Sequence, residues 1–372
     1  MKKGQINALI TIVLISLIIL ILTVADFCTK DRLFSETENR MLAQKPEFTM
    51  ERLFRGEYTG EYETYVTDQF VARDRWIAVK TGLDIVMQKK EIGGVYLGAD
   101  GYLIEQHLPQ EYTEEKIQKK LKLLNRLVTK YGAKVMLVPT ADNILTDKLP
   151  AFSPYFDQKA FLERVKKEVG AGNYIDIYAT LSEHSEEEIY YRTDHHWTTL
   201  GANYGYIAWA QAMGVEPYPY KDMTSVTDEF LGTLQSKINM PWKKDSITYF
   251  RETAQWPVTI IYDMEKEADT LYEEKYLSTK NKYAYFLDDN HALIEITTGN
   301  NTGKTLFVIK DSYANCFVPM LLPHYDKICV LDLRYYNGRL RWLMNQYGKP
   351  GEMDVLVLYN CIHFLDEFQY ME

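Results

Sequence analysis

KTLFVIKDSYANCFVPMLLPHYDKICVLDLRYYNGRLRWLMNQYGKPGEMDVLVLYN, residues 304–360, decides the fold. Three short runs within it, KTLFVIKDS (304–312), KICVLDL (327–333) and DVLVLYN (354–360), are apolar without alternation, the pattern of strands covered on both faces. GRLRWLMNQYG (338–348) reads as a helix between the last two. Strands alternating with helices predict an α/β fold with a doubly wound, mostly parallel sheet.

The same rhythm extends upstream. KVMLVPT (134–140) and NYIDIY (173–178) read as strands, and DQKAFLERVKKEVG (157–170) as a helix. Residues 111–132 carry Ile117, Leu121, Leu124 and Leu127 at helical spacing, with Gly132 as the stop. TTLGANYGYIAWAQAMG (198–214) is a helix with small residues on one side, suited to tight packing. GVYLGADGYLIE (94–105) reads as a hairpin turning at Ala99-Asp100-Gly101. The interval 220–300, with SITYFRE and PVTIIYDM, breaks the rhythm and reads as an inserted β-rich, antiparallel element. The α/β domain is thus expected over 91–372, with its insertion at about 220–300.

The chain has 372 residues, of which 46% are hydrophobic and 25% charged, enough for a sizeable core. Its 42 Lys+Arg against 52 Asp+Glu leave a net charge of −10, which argues against a nucleic-acid partner. Four cysteines in this length exclude a disulfide scaffold. The amino terminus differs from the rest. Lys2 and Lys3 precede an uncharged stretch, and ALITIVLISLIILILTVA (8–25) is almost wholly aliphatic. That run exceeds a signal-peptide core and no small-x-small cleavage site follows it. Bulky Phe27 before Cys28 also makes a poor lipoprotein site. Residues 1–29 are therefore expected to be a cytoplasmic stub and an uncleaved, single-pass anchor, with the rest extracytoplasmic by the positive-inside rule. Residues 30–90 read as a stalk with helices that dock on the main domain; Phe54, Tyr58, Tyr62, Tyr65 and Phe70 fall at near-helical spacing.

The densest polar cluster is YYRTDHHWTTLGA (190–202), directly before a helix. One reading is a capped helix entry. A second is a metal site of His184, His195, His196 and Asp194, weakened because neither an i, i+4 His pair nor a CxxC is present. A third pairs His196 with Asp194 as an oriented general base, since residues i and i+2 of an extended loop point the same way. Ser312, at the end of the 305–310 strand where a helix amino terminus offers N–H groups to an oxyanion, is the candidate nucleophile or a cap. Cys316, Cys329 and Cys361 read as core residues.

TDHHWTTLGA, followed by VIKDSYANCFVPMLLPHYDKICVLDLRYY, resembles the DHHW-motif family, itself similar to the alginate-type O-acetyltransferases with their SGNH hydrolase-like domain. ENRMLAQKPEF, YETYVTDQFVARDRW and VYLGADGYLIE match the group's layout, so the resemblance spans most of residues 35–360. It implies a serine triad of Ser312, His196 and Asp194, in a motif order permuted from ordinary SGNH hydrolases. Lys310 stands where those hydrolases carry glycine. Asn143 and Asn360, both at strand ends, are alternatives for the oxyanion site; His195, Arg334 and Tyr335 could line the pocket. The resemblance further implies O-acetylation of a cell-envelope or secreted polysaccharide through an acetyl-serine, without cofactor or metal. A membrane-bound O-acyltransferase is the expected acetyl donor and the lipid bilayer the other partner. A carbohydrate acetyl esterase and a catalytically silent polysaccharide-binding or assembly subunit are the alternatives.

Overall fold

In the computed structural model residues 3–371 are described; Met1, Lys2 of the positive-inside reading, and Glu372 lie outside the described residues. The chain divides into two compact units, Met1–Lys89 with Ile238–Met240, and Lys90–Lys237 with Pro241–Glu372.

The first unit opens with α1 (Lys3–Cys28), whose Gly4–Cys28 segment has a mean hydropathy of 3.1. At 1.5 Å per residue it is about 39 Å long, so it is long and apolar enough to cross a bilayer. Two longer helices follow a short one at Met50–Phe54: α2 (Glu57–Gln69) and α3 (Arg73–Val86). The aromatic series of the sequence does not lie on one helix. Gly56, at φ 75°, separates the short Met50–Phe54 helix from α2, and Phe54 stays 83% exposed. Arg40 grips Asp68 with two guanidinium nitrogens at 2.8 and 2.6 Å. That contact outweighs burial and holds the Asp68 carboxyl down to about 2.

The second unit is built on seven strands: β1 (Lys134–Val138), β2 (Val258–Tyr262), β3 (Lys266–Ala268), β4 (Leu293–Thr298), β5 (Thr305–Lys310), β6 (Lys327–Asp332) and β7 (Asp354–Asn360). Their order is β3-β2-β4-β6-β5-β7-β1. Strands β6, β5, β7 and β1 are parallel, whereas β3, β2 and β4 pair antiparallel. The sheet is therefore mixed, which corrects the expected mostly parallel one. The interval 220–300 is only partly an insertion, because it supplies β2, β3 and β4. Its separate part is a two-stranded ribbon, Met223–Phe230 with Asp245–Phe250.

Alternate residues of the parallel strands feed two apolar cores. Leu306, Val308, Leu356 and Leu358 join one, and Phe307, Ile309, Val355 and Val357 the other. Both faces of these strands are thus covered, which is why their sequences do not alternate. Helices α4 (Glu114–Tyr131), α5 (Gln158–Val169), α6 (Thr199–Met213), α7 (Leu340–Tyr347) and α8 (Cys361–Glu367) surround them. Thr113, Asp157 and Thr198 cap α4, α5 and α6, each accepting a backbone N–H of the first turn. Gly132 and Gly214 end α4 and α6 in left-handed conformations. Residues 94–105 form the expected hairpin, with Tyr96 opposite Ile104.

Residues 173–178 are not a strand. Tyr174 makes a single bridge to Val135 at the sheet edge, and Asp176 then accepts the Tyr178 N–H to start the helix Tyr178–Glu183. The apolar run is real, but it buries Tyr174, Ile175 and Ile177 without a ladder.

Candidate active site

The site forms where β5 and β7 end and α6 begins. After Lys310 the chain leaves β5 and enters a 3-10 turn, Ser312–Cys316. Asp311 caps that turn by accepting the Tyr313 N–H at 2.9 Å. Its other oxygen accepts the Asn360 N–H and the His363 ring, both at 3.0 Å, which ties the turn to the end of β7. As the first residue of a helical turn, Ser312 leaves its own N–H without an intrahelical partner.

Residues separated by more than a hundred positions meet here. The Ser312 hydroxyl lies 2.8 Å from His196 Nε2, and His196 Nδ1 lies 2.5 Å from Asp194 Oδ1. Asp194 Oδ1 also accepts the His196 backbone N–H at 3.1 Å, so the extended-loop pairing is locked twice. Its Oδ2 accepts the Thr233 N–H at 2.8 Å and the Thr233 hydroxyl at 3.0 Å. Burial would raise this carboxyl, but His195, His196 and the hydrogen bonds hold it well below the ordinary range. The line Asp194–His196–Ser312 has the geometry in which a serine hydroxyl loses its proton to an oriented imidazole.

Three partners of this line were invisible in the sequence. Gly232 packs so closely on Asp194 that a Cβ there would sit 2.3 Å from the Asp194 Cβ. Thr233 holds Asp194 from the next position. Tyr283 stacks on the His196 ring, with centroids 3.9 Å apart at 15°, and donates its hydroxyl to the Ser312 carbonyl at 3.1 Å. All three belong to the 220–300 interval, whose composition carries no motif. Trp197, fully buried, donates to the Tyr313 carbonyl at 2.8 Å and so links the two motif segments. The small residues of α6 make room for it: a Cβ at Gly205 would lie 2.9 Å from its ring.

The remaining candidates separate. His195 and Asn360 line the cleft beside the triad together with Glu105, His107 and His363. Asn360 spends its Oδ1 as the cap of α8, accepting from Ile362 and His363, and among the described residues nothing accepts from its Nδ2. Asn143 instead spends its whole amide on Asp142, Phe156 and Gln158, pinning the entry to α5. Arg334 closes a fork on Asp332 at 2.9 and 2.6 Å, and Tyr335 is 51% exposed under that guanidinium; neither lines the cleft. Lys310 is buried, with its ammonium 2.8 Å from Asn315 Oδ1 and 3.4 Å from Asp332; burial lowers its pKa against the pull of Asp332.

For the metal reading, His184 is elsewhere, paired with Glu187 at 2.7 Å and stacked on Tyr204. Asp194, His195 and His196 offer ligand-type atoms within 4.8 Å of one another, but both His196 nitrogens and both Asp194 oxygens are already hydrogen-bonded. All four cysteines are unpaired, and burial pushes the Cys316 thiol up to about 12, which makes it a poor nucleophile.

Comparison with known proteins agrees with this arrangement at the level of fold. A DHHW family protein from Eubacterium siraeum superposes with a TM-score of 0.62 at 23% identity, covering 74% of this chain and 93% of that chain. Bacillus cereus PatB1, in its structure with a sulfonyl adduct, gives a TM-score of 0.58 at 20% identity, covering 73% of this chain and 95% of that one. The O-acetyltransferase domain of Pseudomonas putida AlgJ gives 0.46 at 15% identity, covering 74% and 94%. No curated protein sequence matches the chain. The profile of the DHHW protein family matches residues 84–331, which include the Asp194-His195-His196-Trp197 string and Ser312. With two thirds of its length under that profile, the chain belongs to the DHHW family.

Proposed function

We propose that this protein is a membrane-anchored, extracytoplasmic serine acyltransferase that O-acetylates a cell-envelope or secreted polysaccharide. The observation that carries the reading is the unbroken line from Ser312 through His196 to Asp194, at 2.8 and 2.5 Å. In the first half-reaction Ser312 Oγ attacks the carbonyl of an acetyl ester. Its proton passes to His196 Nε2, and Asp194 holds the Nδ1–H tautomer and stabilises the imidazolium. The Ser312 N–H and the free Nδ2 of Asn360 are the donors for the oxyanion, in an SGNH-like site with permuted motif order. The leaving alcohol takes the proton from His196. In the second half, His196 takes the proton of a sugar hydroxyl, whose oxygen takes the acetyl group as the Ser312 Oγ–acetyl bond breaks, and His196 returns the proton to Ser312 Oγ.

α1 supports placement at a membrane, with the second unit outside. Acetyl-CoA is cytoplasmic, so the donor on this side is an acetyl ester delivered by a membrane-bound O-acyltransferase. The esterase alternative is a competing outcome of the same acetyl-enzyme, with water in place of the sugar hydroxyl. The test is a burst assay on the full chain with p-nitrophenyl acetate, with and without oligosaccharide. Acetyl-enzyme on Ser312 and sugar-dependent acetyl ester support the reading. An undiminished burst in Ser312→Ala would sink it, and acetate as the sole product with every sugar would turn it to an esterase.

A further inference from the structure

Hydrogen-bond bookkeeping around Asp194 fixes the state of His195, a residue with no part in the proton transfer above. The Thr233 hydroxyl has one proton, and it is committed to Asp194 Oδ2, a carboxylate that can only accept. The His195 Nδ1, 2.8 Å from the same hydroxyl oxygen, must therefore be the donor of that contact. A neutral imidazole that is protonated at Nδ1 carries a lone pair at Nε2. His195 stays neutral, because burial and the neighbouring His196 ring hold its pKa down to about 3. Its Nε2 is buried and has no partner. An unpaired buried acceptor is costly unless a ligand donates to it. His195 lines the cleft that Asp194, Tyr313 and Asn360 also line, next to the His196 that holds Ser312.

The attacking hydroxyl cannot be that donor. Its only proton goes to His196 Nε2, so the group held by His195 is a second hydroxyl. The His195 and His196 rings pack against each other, with centroids 3.9 Å apart at 35°, so the two acceptor nitrogens belong to neighbouring rings that one acceptor molecule can address together. Resting on the acyl-transfer reading, we infer that His195 Nε2 selects acceptors bearing two adjacent hydroxyl groups, one donating to His196 and attacking, the other donating to His195. The Ser312 Oγ–acetyl bond breaks, the acetyl–oxygen bond to the first hydroxyl forms, and that proton passes through His196 to Ser312 Oγ. The second hydroxyl keeps its proton and is not acylated in that turn. His195 is a specificity-determining residue of the acceptor site.

The experiment partitions the acetyl-enzyme of the full chain, formed with p-nitrophenyl acetate in detergent, between ethylene glycol and ethanol at equal concentration. The natural protein should favour glycol about tenfold beyond the statistical factor of two for its two hydroxyls. His195→Phe should bring the ratio down to that factor. His195→Asn should do the same, since it reaches only to the Nδ1 position: it keeps the Thr233 contact and loses the Nε2 acceptor. His195→Gln, whose Oε1 reaches the Nε2 position, should hold the preference. Because both products come from one acetyl-enzyme, their ratio does not depend on how much of a variant folds. A statistical ratio in the natural protein, or an undiminished preference in His195→Asn, overturns the inference. A failed triad looks different: the natural protein then gives no p-nitrophenol burst at all, and the acyl-transfer reading falls with it.

Discussion

Gly232→Ala is the sharpest probe of how the site is held. The added Cβ would lie 2.3 Å from Asp194 Cβ, 2.4 Å from its Oδ2 and 2.7 Å from its Cγ, where ordinary contact begins near 3.4 Å. One side must give by about 1 Å. Gly232 is not among the positive-φ glycines, so the methyl causes no backbone strain, and the whole effect comes from this approach. Asp194 cannot retreat freely, because Oδ1 is fixed by His196 and Oδ2 by Thr233. Displacing a positioned group by 1 Å costs about 10²-fold in rate, and losing the orienting carboxylate altogether about 10⁴-fold. Acylation by p-nitrophenyl acetate should therefore fall between those limits in Gly232→Ala. The loss should nearly vanish when Asp194 is already Asn, because both changes act on the same imidazole. A folded Gly232→Ala protein that acylates within about twofold of the natural one would refute the reasoning, as would full additivity with Asp194→Asn.

Other expectations follow from the same contacts. Ser312→Ala should abolish the acetyl-enzyme seen by intact mass spectrometry, and a sulfonyl fluoride should label the natural chain at Ser312 alone. Tyr283→Phe keeps the ring over His196 and loses the bond to the Ser312 carbonyl, so acylation should slow by about tenfold or less; Tyr283→Leu, which also loses the stack, should be worse in the same burst assay. His107 is buried, and although burial alone would lower its pKa, Asp142 at 3.0 Å and Glu105 raise it from 6.5 to about 10. A pKa raised on folding stabilises fully below 6.5 and is lost as the pH rises through 10. Thermal melting should show stability falling over that window, and His107→Gln should flatten the fall.

Much of this was legible in the sequence. The runs at 134–138, 305–310, 327–332 and 354–360 announce doubly covered strands, because a residue buried on either face must be apolar whichever way it points. Thr198 announces a helix start and Gly132 a helix end, because capping is a local demand on one side chain or one φ. Spacing alone marked Asp194 with His196 and left Ser312 as nucleophile or cap; the resemblance to the DHHW family is what paired the two segments at sequence level. The edge of the sheet could not be read this way. β2, β3 and β4 pair antiparallel through partners set by tertiary contact, so their Tyr- and Thr-rich sequences read as an insertion. Residues 173–178 failed the opposite way: they are apolar enough for a strand, but only Tyr174 meets the edge.

By itself the sequence determined the apolar helix, the buried strands, the capped helices and the two motif segments, each a property of neighbouring residues. Only the tertiary structure decided that Asn360 and not Asn143 keeps a free amide in the cleft, that Arg334 is spent on Asp332, and that Gly232, Thr233 and Tyr283 brace the triad. These depend on which polar groups already have partners, and hydrogen-bond capacity is used up by neighbours in space rather than in the chain.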